Sequence, residues 1–405
     1  MTSPSILVSG AGIAGSTLAF WLGRSGFDVT VVERSGAVRS SGNPVDVRGA
    51  AMDVVERIGV LPALDAAATH VRTAVLVGPT GRTAARLPMS ALSDPGSVRE
   101  LEVPRADLSA VLLGAARENA RFVFGDRITS IAEDPSGVDV AFERGAPGRF
   151  DLVIGADGQH SGVRRLAFGP DSNFVHAVGL IVATLAMRPD QAARSDGSAG
   201  SDGAALFDES APSAEAAERD FVMFNAPGRS VSIHPSSGKP LLAFIFWGSG
   251  EQTEAADRDD LEAQKATIIA AHQGLGWRIP ELLEDVRSAP DIYFDEVSQI
   301  RMSSWSRGRV ALLGDAASSV TLLGEGSSLA IIGAATLAES IARNPAAPAT
   351  AFAEYEREHR LLVDPRQAGV TSAARMLVPR TRAGIAARNL AWRALPLINR
   401  LRRKS

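Results

Sequence analysis

Residues 5–35, "SILVSGAGIAGSTLAFWLGRSGFDVTVVERS", decide the fold. Ile6, Leu7 and Val8 are apolar without alternation, as in a parallel strand covered on both faces. Gly10, Gly12 and Gly15 follow at the spacing G-x-G-x-x-G, and a helical pattern from about Ala14 to Arg24 ends near Gly26. "DVTVVE" (28–33) is the next strand, so the segment reads as strand, helix, strand with a right-handed crossover. The glycines let the backbone, with Ile13 and Ala14, approach a pyrophosphate lying on the helix N-terminus. Glu33, followed by Arg34, stands where a ribose hydroxyl would be accepted. The pattern predicts dinucleotide binding and leaves NAD and FAD both open.

Around this unit the chain has 405 residues, enough for two domains or one elaborated domain. Hydrophobic residues make up 45% and charged residues 22%, an ordinary balance for a soluble enzyme. The formal net charge of -4 speaks against a general nucleic-acid binder. With no cysteine, disulfides, thiolate nucleophiles and cysteine-held metals are excluded, and no metal site is expected. "MTSPSILVSG" lacks the basic start of a signal peptide, and no apolar run reaches the roughly 18 residues of a spanning helix, so a cytoplasmic protein is expected.

Further along, "GNPVDVRGAAMDVVERIGV" reads as a turn-rich loop and a short helix, and "PRADLSAVLLGAARE" as an amphipathic helix. "RFVFGDRITSIAED" and "GVDVAFER" predict a small antiparallel layer, and "FDLVIGADG" a returning buried strand. From about Phe174 to Ile300 alternating strands predict a separate antiparallel sheet, with a surface loop between Gln191 and Asp220. "SSLAIIGAATLAESIAR" is a helix ended by Asn-Pro, and "ATAFAEYEREHRLLV" one stopped at Asp364-Pro365. From Arg366 to Lys404 there are ten basic residues and no acidic one. This tail, broken by Pro379 and Pro396, is read as an appendage whose arginines pair with the acidic body, ahead of a membrane-surface or partner-binding helix.

Two more motifs carry chemistry. In "DLVIGADGQHSGVRR", Asp157-Gly158 ends a strand, where ligands sit in open α/β sheets, or else Asp157 simply caps the following helix. In "LLGDAASSVTLLGEGSSLA", a strand ends in Gly314-Asp315, and a helix opens around Gly324 and Gly326. A carboxylate at a strand tip can meet sugar hydroxyls. A helix start offers free N–H groups to the negative charge that a flavin gains on reduction.

The three motifs in order, with "SSWSRGRVALLGDAA" and "GNPVDVRGAAM", resemble the class A flavoprotein monooxygenases, the family of para-hydroxybenzoate hydroxylase. The nearest branch is the one holding tetracycline-inactivating and polyketide-tailoring enzymes. The resemblance implies an α/β fold: a Rossmann-like FAD-binding domain (1–172 and 301–345), an inserted antiparallel substrate domain (173–300) and C-terminal helices (346–405). It implies that Gly10, Gly12 and Gly15 hold the pyrophosphate of FAD and Glu33 the adenosine ribose. By the same resemblance Arg105, of "EVPRADL", reaches the flavin side. Asp157 belongs to the FAD and NAD(P)H element, and Asp315 binds the ribityl or pyrophosphate region. Arg48 would lie near flavin and substrate.

The implied chemistry is reduction of FAD by NADPH or NADH, reaction with O₂ to a C4a-hydroperoxide, and oxygen transfer to an aromatic or polycyclic natural product or antibiotic, by hydroxylation or Baeyer–Villiger insertion. The partners implied are small molecules, in a monomer or homodimer. No catalytic triad is required; Arg48 and His234 are the candidate catalytic residues, and His176 and His234 could assist proton transfer or be structural. The chain departs from the family where Ser318–Leu323 carries no proline and Glu325 separates the two glycines. That motivates an alternative, a flavin oxidoreductase that does not oxygenate. "GWRIP" makes a flavin halogenase a weaker one, and a non-enzymatic nucleotide-binding scaffold would need no Asp315.

Overall fold

The uninterrupted apolar runs form the middle of a parallel sheet. In this computed structural model, residues 3–36, 44–89, 99–188, 220–235, 240–248, 260–320 and 324–402 are described, 395–402 by backbone alone. Strand Ser5–Ser9 pairs in parallel with Asp28–Glu33 on one side and Leu152–Gly155 on the other. Val310–Leu312 and Arg121–Phe124 extend the parallel pairing at the two ends, and the short antiparallel Ser306–Arg307 closes one edge. Ile6, Leu7, Val153, Ile154, Ala311 and Leu312 are all fully buried, which is why their sequence shows no polar alternation. Helices Ile13–Arg24 and Glu325–Arg343 pack together on this sheet through Leu18, Leu22, Ile331 and Leu337.

Parallel strands release their loops at one edge. The loops that follow Ser9, Gly155 and Leu312 therefore emerge side by side, although the strands lie some 150 residues apart in the chain. This topology alone gathers the three motifs.

The second large sheet runs in the order Tyr293–Ile300, Val175–Ala186, Leu241–Trp247, Arg229–His234, Asp220–Ala226, Thr73–Val77, Thr83–Pro88. All neighbours are antiparallel except the parallel pair Asp220–Ala226 and Thr73–Val77. Ile181, Ala183, Leu185, Phe244 and Phe246 bury one face under helices Leu261–His272 and Ile279–Ser288. The α/β class, the second sheet and the C-terminal helices match the sequence reading. The surface loop predicted between Gln191 and Asp220 lies outside the described residues apart from Asp220 itself, which begins a strand.

Several elements differ from expectation. Pro44–Arg48 is a strand, not a loop, paired antiparallel with Glu100–Pro104; Val45 and Val47 point inward, with Asp46 and Arg48 between them, at the period of two that a strand needs. Arg121–Phe124 joins the parallel sheet; only Ile128–Asp134, Gly137–Phe142 and Gly148–Phe150 form the small antiparallel layer. Helix Pro348–Leu377 runs through Pro365. The proline withdraws one N–H, but the residue four earlier, Leu361, is 75% exposed, so water can serve that carbonyl, while Val363 and Val370 stay buried on the inner side.

The tail breaks at Pro379 and not at Pro396, since helix Arg382–Arg402 continues past it. One of its arginines does pair with the body, Arg366 with Glu325 at 2.9 Å, while others meet a carbonyl, an amide and a ring: Arg388 donates to Asn225 Oδ1 at 2.9 Å and Arg393 Nε to Ala84 O at 2.8 Å, and Arg380 lies 3.9 Å from the Trp247 ring centre. Burial pushes Arg388 down to about 10. Among the described residues no helix is long and apolar enough to cross a membrane.

Candidate active site

The glycine loop sets the first wall. Gly10 has φ 105°, and a Cβ there would lie 2.5 Å from Ala156 O; a Cβ on Gly15 would lie 1.9 Å from Gly10 O. These two glycines let strand, helix and the neighbouring Asp157 loop touch backbone to backbone. Gly12 differs, because a Cβ there would meet nothing within 4 Å. It borders an open cradle. Helix Ile13–Arg24 starts at Gly12 with no side-chain cap, and its first internal bond runs from Ser16 N to Gly12 O at 2.9 Å. The N–H groups of its first turn, Ile13 and Ala14 included, are thus left for a ligand. Glu33 accepts from Ala11 N through Oε2 and from Ser35 N through Oε1, each at 2.9 Å, which fixes its carboxylate against the loop. Arg34 is exposed beside it.

Asp157 forms the second wall by capping a helix. Its Oδ2 accepts from Gly162 N at 2.8 Å and Val163 N at 3.1 Å, at the start of Gly162–Ala167, and its Oδ1 accepts from Ser161 Oγ. Burial pushes its carboxyl up, against these hydrogen bonds. Arg164, fully buried, then bolts this loop to the third. It donates to Gln159 O at 2.7 Å, to Ala316 O at 3.0 Å and to Asp171 Oδ1 at 2.7 Å. Sequence reading placed Arg164 in the motif without a partner, because Ala316 lies 152 residues away.

The third wall begins at Gly314, with φ 63°, where a Cβ would sit 3.0 Å from Ala14 Cβ. The strand tip thus lies directly on the first turn of the glycine helix. Asp315 faces Arg105, at 4.0 Å, from the start of helix Arg105–Ala116. Burial pushes the Asp315 carboxyl up, and Arg105 works in the opposite direction. Gly326, in the first turn of helix Glu325–Arg343, brings that helix start beside Asp315, with a Cβ position 3.7 Å from Oδ1. Gly324, φ 75°, lies against Asp46, with a Cβ position 2.6 Å from Oδ2. Residues 321–323, the core of the proline-free loop, lie outside the described residues.

Arg48 was a candidate for the flavin and substrate cavity. Its Nη2 donates to Glu325 Oε1, and its Nη1 stands 3.9 Å from Asp46 and 3.7 Å from Glu100. Opposite Asp46, in register, is Glu102. Burial, then mutual repulsion, pushes the Glu102 carboxyl up to about 7; Asp46 rises to about 6 through burial, partly opposed by Arg48. This charge cluster was invisible in sequence, since Arg48 and Glu325 are 277 residues apart.

On the second sheet, alternation puts Thr184, Ala243, Ser232 and Tyr293 in one cross-strand row on the face turned away from the two helices. The Tyr293 phenol is pushed up to about 12 by burial and by Asp295, and it feels both Arg105 and Asp315, so this face looks toward the third wall. Asp295 in turn meets His160 Nε2 at 3.1 Å, joining the sheet to the Asp157 loop. His234 lies on the same face, 4.5 Å from the Phe221 ring and 3.1 Å from Ser232 Oγ. Burial pushes it down to about 4, so near pH 7 it is a neutral imidazole. His176 is exposed near the sheet edge and not beside these groups.

An open glycine cradle with uncapped N–H donors, a guanidinium at Arg105 and a carboxylate at Asp315 suits a dinucleotide: donors for its diphosphate, acceptors for its sugar and ribityl hydroxyls. No group of three metal-ligating side chains occurs among the described residues.

Comparison with known proteins agrees with this geometry. Residues 4–179 match the FAD binding domain family. The chain is 37% identical over 366 residues to the uncharacterized protein Rv1260 of Mycobacterium tuberculosis, covering 90% of this chain and 91% of that protein. It is 30% identical over 352 residues to the FAD-dependent monooxygenase asL4 of Sarocladium schorii, covering 85% and 77%. The crystal structure of tetracycline destructase Tet(51) superposes with a TM-score of 0.78 at 25% identity, covering 98% of each chain.

Proposed function

The chain belongs to the FAD-dependent monooxygenases, and from that we propose that it uses NAD(P)H and O₂ to oxygenate an aromatic or polycyclic small molecule. The chemistry supplied by FAD, when bound, would be acceptance of a hydride from the nicotinamide and activation of O₂, one oxygen atom going to substrate and the other leaving as water.

In this reading the N–H groups around Gly12, Ile13 and Ala14 bind the diphosphate, Glu33 accepts from the adenosine ribose with Arg34 beside it, and Arg105 and Asp315 hold the flavin side. Arg164 keeps the Asp157 loop and the Gly314-Asp315 loop in register. The start of helix Glu325–Arg343, between Gly324 and Gly326, turns its free N–H groups to the flavin edge that gains charge. Substrate lies against the sheet face of Thr184, Ser232 and His234. Their hydroxyls and neutral imidazole can exchange hydrogen bonds with a phenol or enol, and the surrounding apolar strands keep water out. NAD(P)H approaches along the Asp157 loop. The observation that supports the reading best is the meeting of three motif loops at the tips of three adjacent parallel strands. The similarity to tetracycline destructase Tet(51) supports a polycyclic substrate.

The test is a panel of tetracyclines and aromatic polyketides turned over under ¹⁸O₂, with NADPH oxidation and product mass recorded together. The expected result is substrate-stimulated NADPH oxidation and a product heavier by one ¹⁸O atom. Stimulated oxidation with oxidised but unlabelled product would favour the non-oxygenating reading instead.

A further inference from the structure

Glu325 is the first residue of helix Glu325–Arg343, between two glycines of which the second, Gly326, lies beside Asp315. A carboxylate here is unexpected on the proposed function, on which this inference rests. A helix start carries about half a positive charge, and that field would stabilise a reduced flavin; an anion in the first turn cancels it. The carboxylate is held from two sides. Its Oε1 accepts from Arg48 Nη2, on strand Pro44–Arg48, and its Oε2 from Arg366 Nε at 2.9 Å, on helix Pro348–Leu377. Glu325 and Arg48 are 26% and 20% exposed, so water screens the set only in part. Asp46 and Glu100 also face Arg48, and Glu102 lies opposite Asp46.

We propose that Glu325, clamped by Arg48 and Arg366, sets the reduction potential of the bound flavin by trimming the positive field of the helix start. Glu325 acts here as a positioning and field-setting residue, not a catalytic one. The two arginines hold the carboxylate in place from both sides, and the three groups together carry one positive charge. Removing the carboxylate leaves two positive charges; removing Arg366 leaves none. The two changes therefore move the potential in opposite directions, which a general loosening of the loop cannot do.

The experiment is a spectroelectrochemical titration of FAD-loaded wild type, Glu325→Gln and Arg366→Gln. In Glu325→Gln the reduced flavin should be favoured roughly tenfold over the oxidised form. For two electrons that is about 30 mV upward. In Arg366→Gln, whose side chain is 39% exposed and whose loss the fold tolerates more readily, the potential should fall. Unchanged potentials in both variants, or shifts of the same sign, overturn the proposal while leaving the flavin site intact. Wild type that holds no FAD overturns both the proposal and the site.

Discussion

Gly15→Ala is expected to give a chain that binds no measurable FAD and unfolds at lower denaturant than wild type. The new methyl would lie 1.9 Å from Gly10 O, and Gly10 cannot retreat because its own Cβ position is 2.5 Å from Ala156 O and 2.9 Å from Asp157 Cα. Something must shift at the junction of two strands and a helix, and overpacking of this kind costs about 1–3 kcal/mol or more. Gly12→Ala is the informative counterpart. Gly12 has an extended backbone that alanine adopts freely, and its Cβ position is open. This variant should fold as wild type and still lose FAD affinity by on the order of a hundredfold, because the methyl occupies the ligand's place. Fluorescence titration of FAD and urea unfolding, run on both variants, separate the two effects. If Gly12→Ala binds FAD like wild type, the cradle is not where the diphosphate lies.

The second large effect is expected at Arg164. Arg164→Met keeps the length of the side chain but removes every donor from a site with no exposure, leaving Ala316 O and Gln159 O without their partner and Asp171 with only Arg165. Breaking a buried charged network in this way costs about 3–5 kcal/mol. Arg165→Met serves as the control: its guanidinium also reaches Asp171, at 2.9 Å, but is 47% exposed. A pair that open contributes about 1 kcal/mol or less. FAD affinity should fall in Arg164→Met and not in Arg165→Met, since only Arg164 ties the Asp157 loop to the Gly314-Asp315 loop. Equal losses in both would place the stabilisation in Asp171 and not in the bolt between loops.

What the sequence made legible follows from burial. Ile6–Val8, Leu152–Ile154 and Val310–Leu312 are covered on both faces, so each showed as an apolar run ending in glycine or Asp-Gly, and the loops that matter followed directly. Family resemblance to class A flavoprotein monooxygenases rested on those same loops. Pro44–Arg48 escaped notice because its alternation spans only five residues and its partner strand begins at Glu100. Thr73–Val77 and Thr83–Pro88 were missed as members of the second sheet because their neighbour there, Asp220–Ala226, is far along the chain. Pro365 misled because a proline's cost depends on whether the freed carbonyl meets water, which only the tertiary structure determines.

At the site the limits were of a different kind. Asp157 has two readings in sequence, ligand and helix cap, and its hydrogen bonds to Gly162 and Val163 realise the cap. Glu325 stood out only as a departure from the family pattern; its meaning depends on Arg48 and Arg366, which the chain brings to it from opposite sides. Spacing rules find residues that act through their own backbone. They do not find charges that act through each other across the fold.

All of these expectations require that the three loops form a single FAD site. The direct measurement is flavin stoichiometry: wild-type protein incubated with excess FAD, desalted, denatured, and the released flavin quantified against protein. The expected result is close to one FAD per chain, lost in Gly12→Ala and Gly15→Ala. A folded wild-type chain that emerges free of flavin would contradict it.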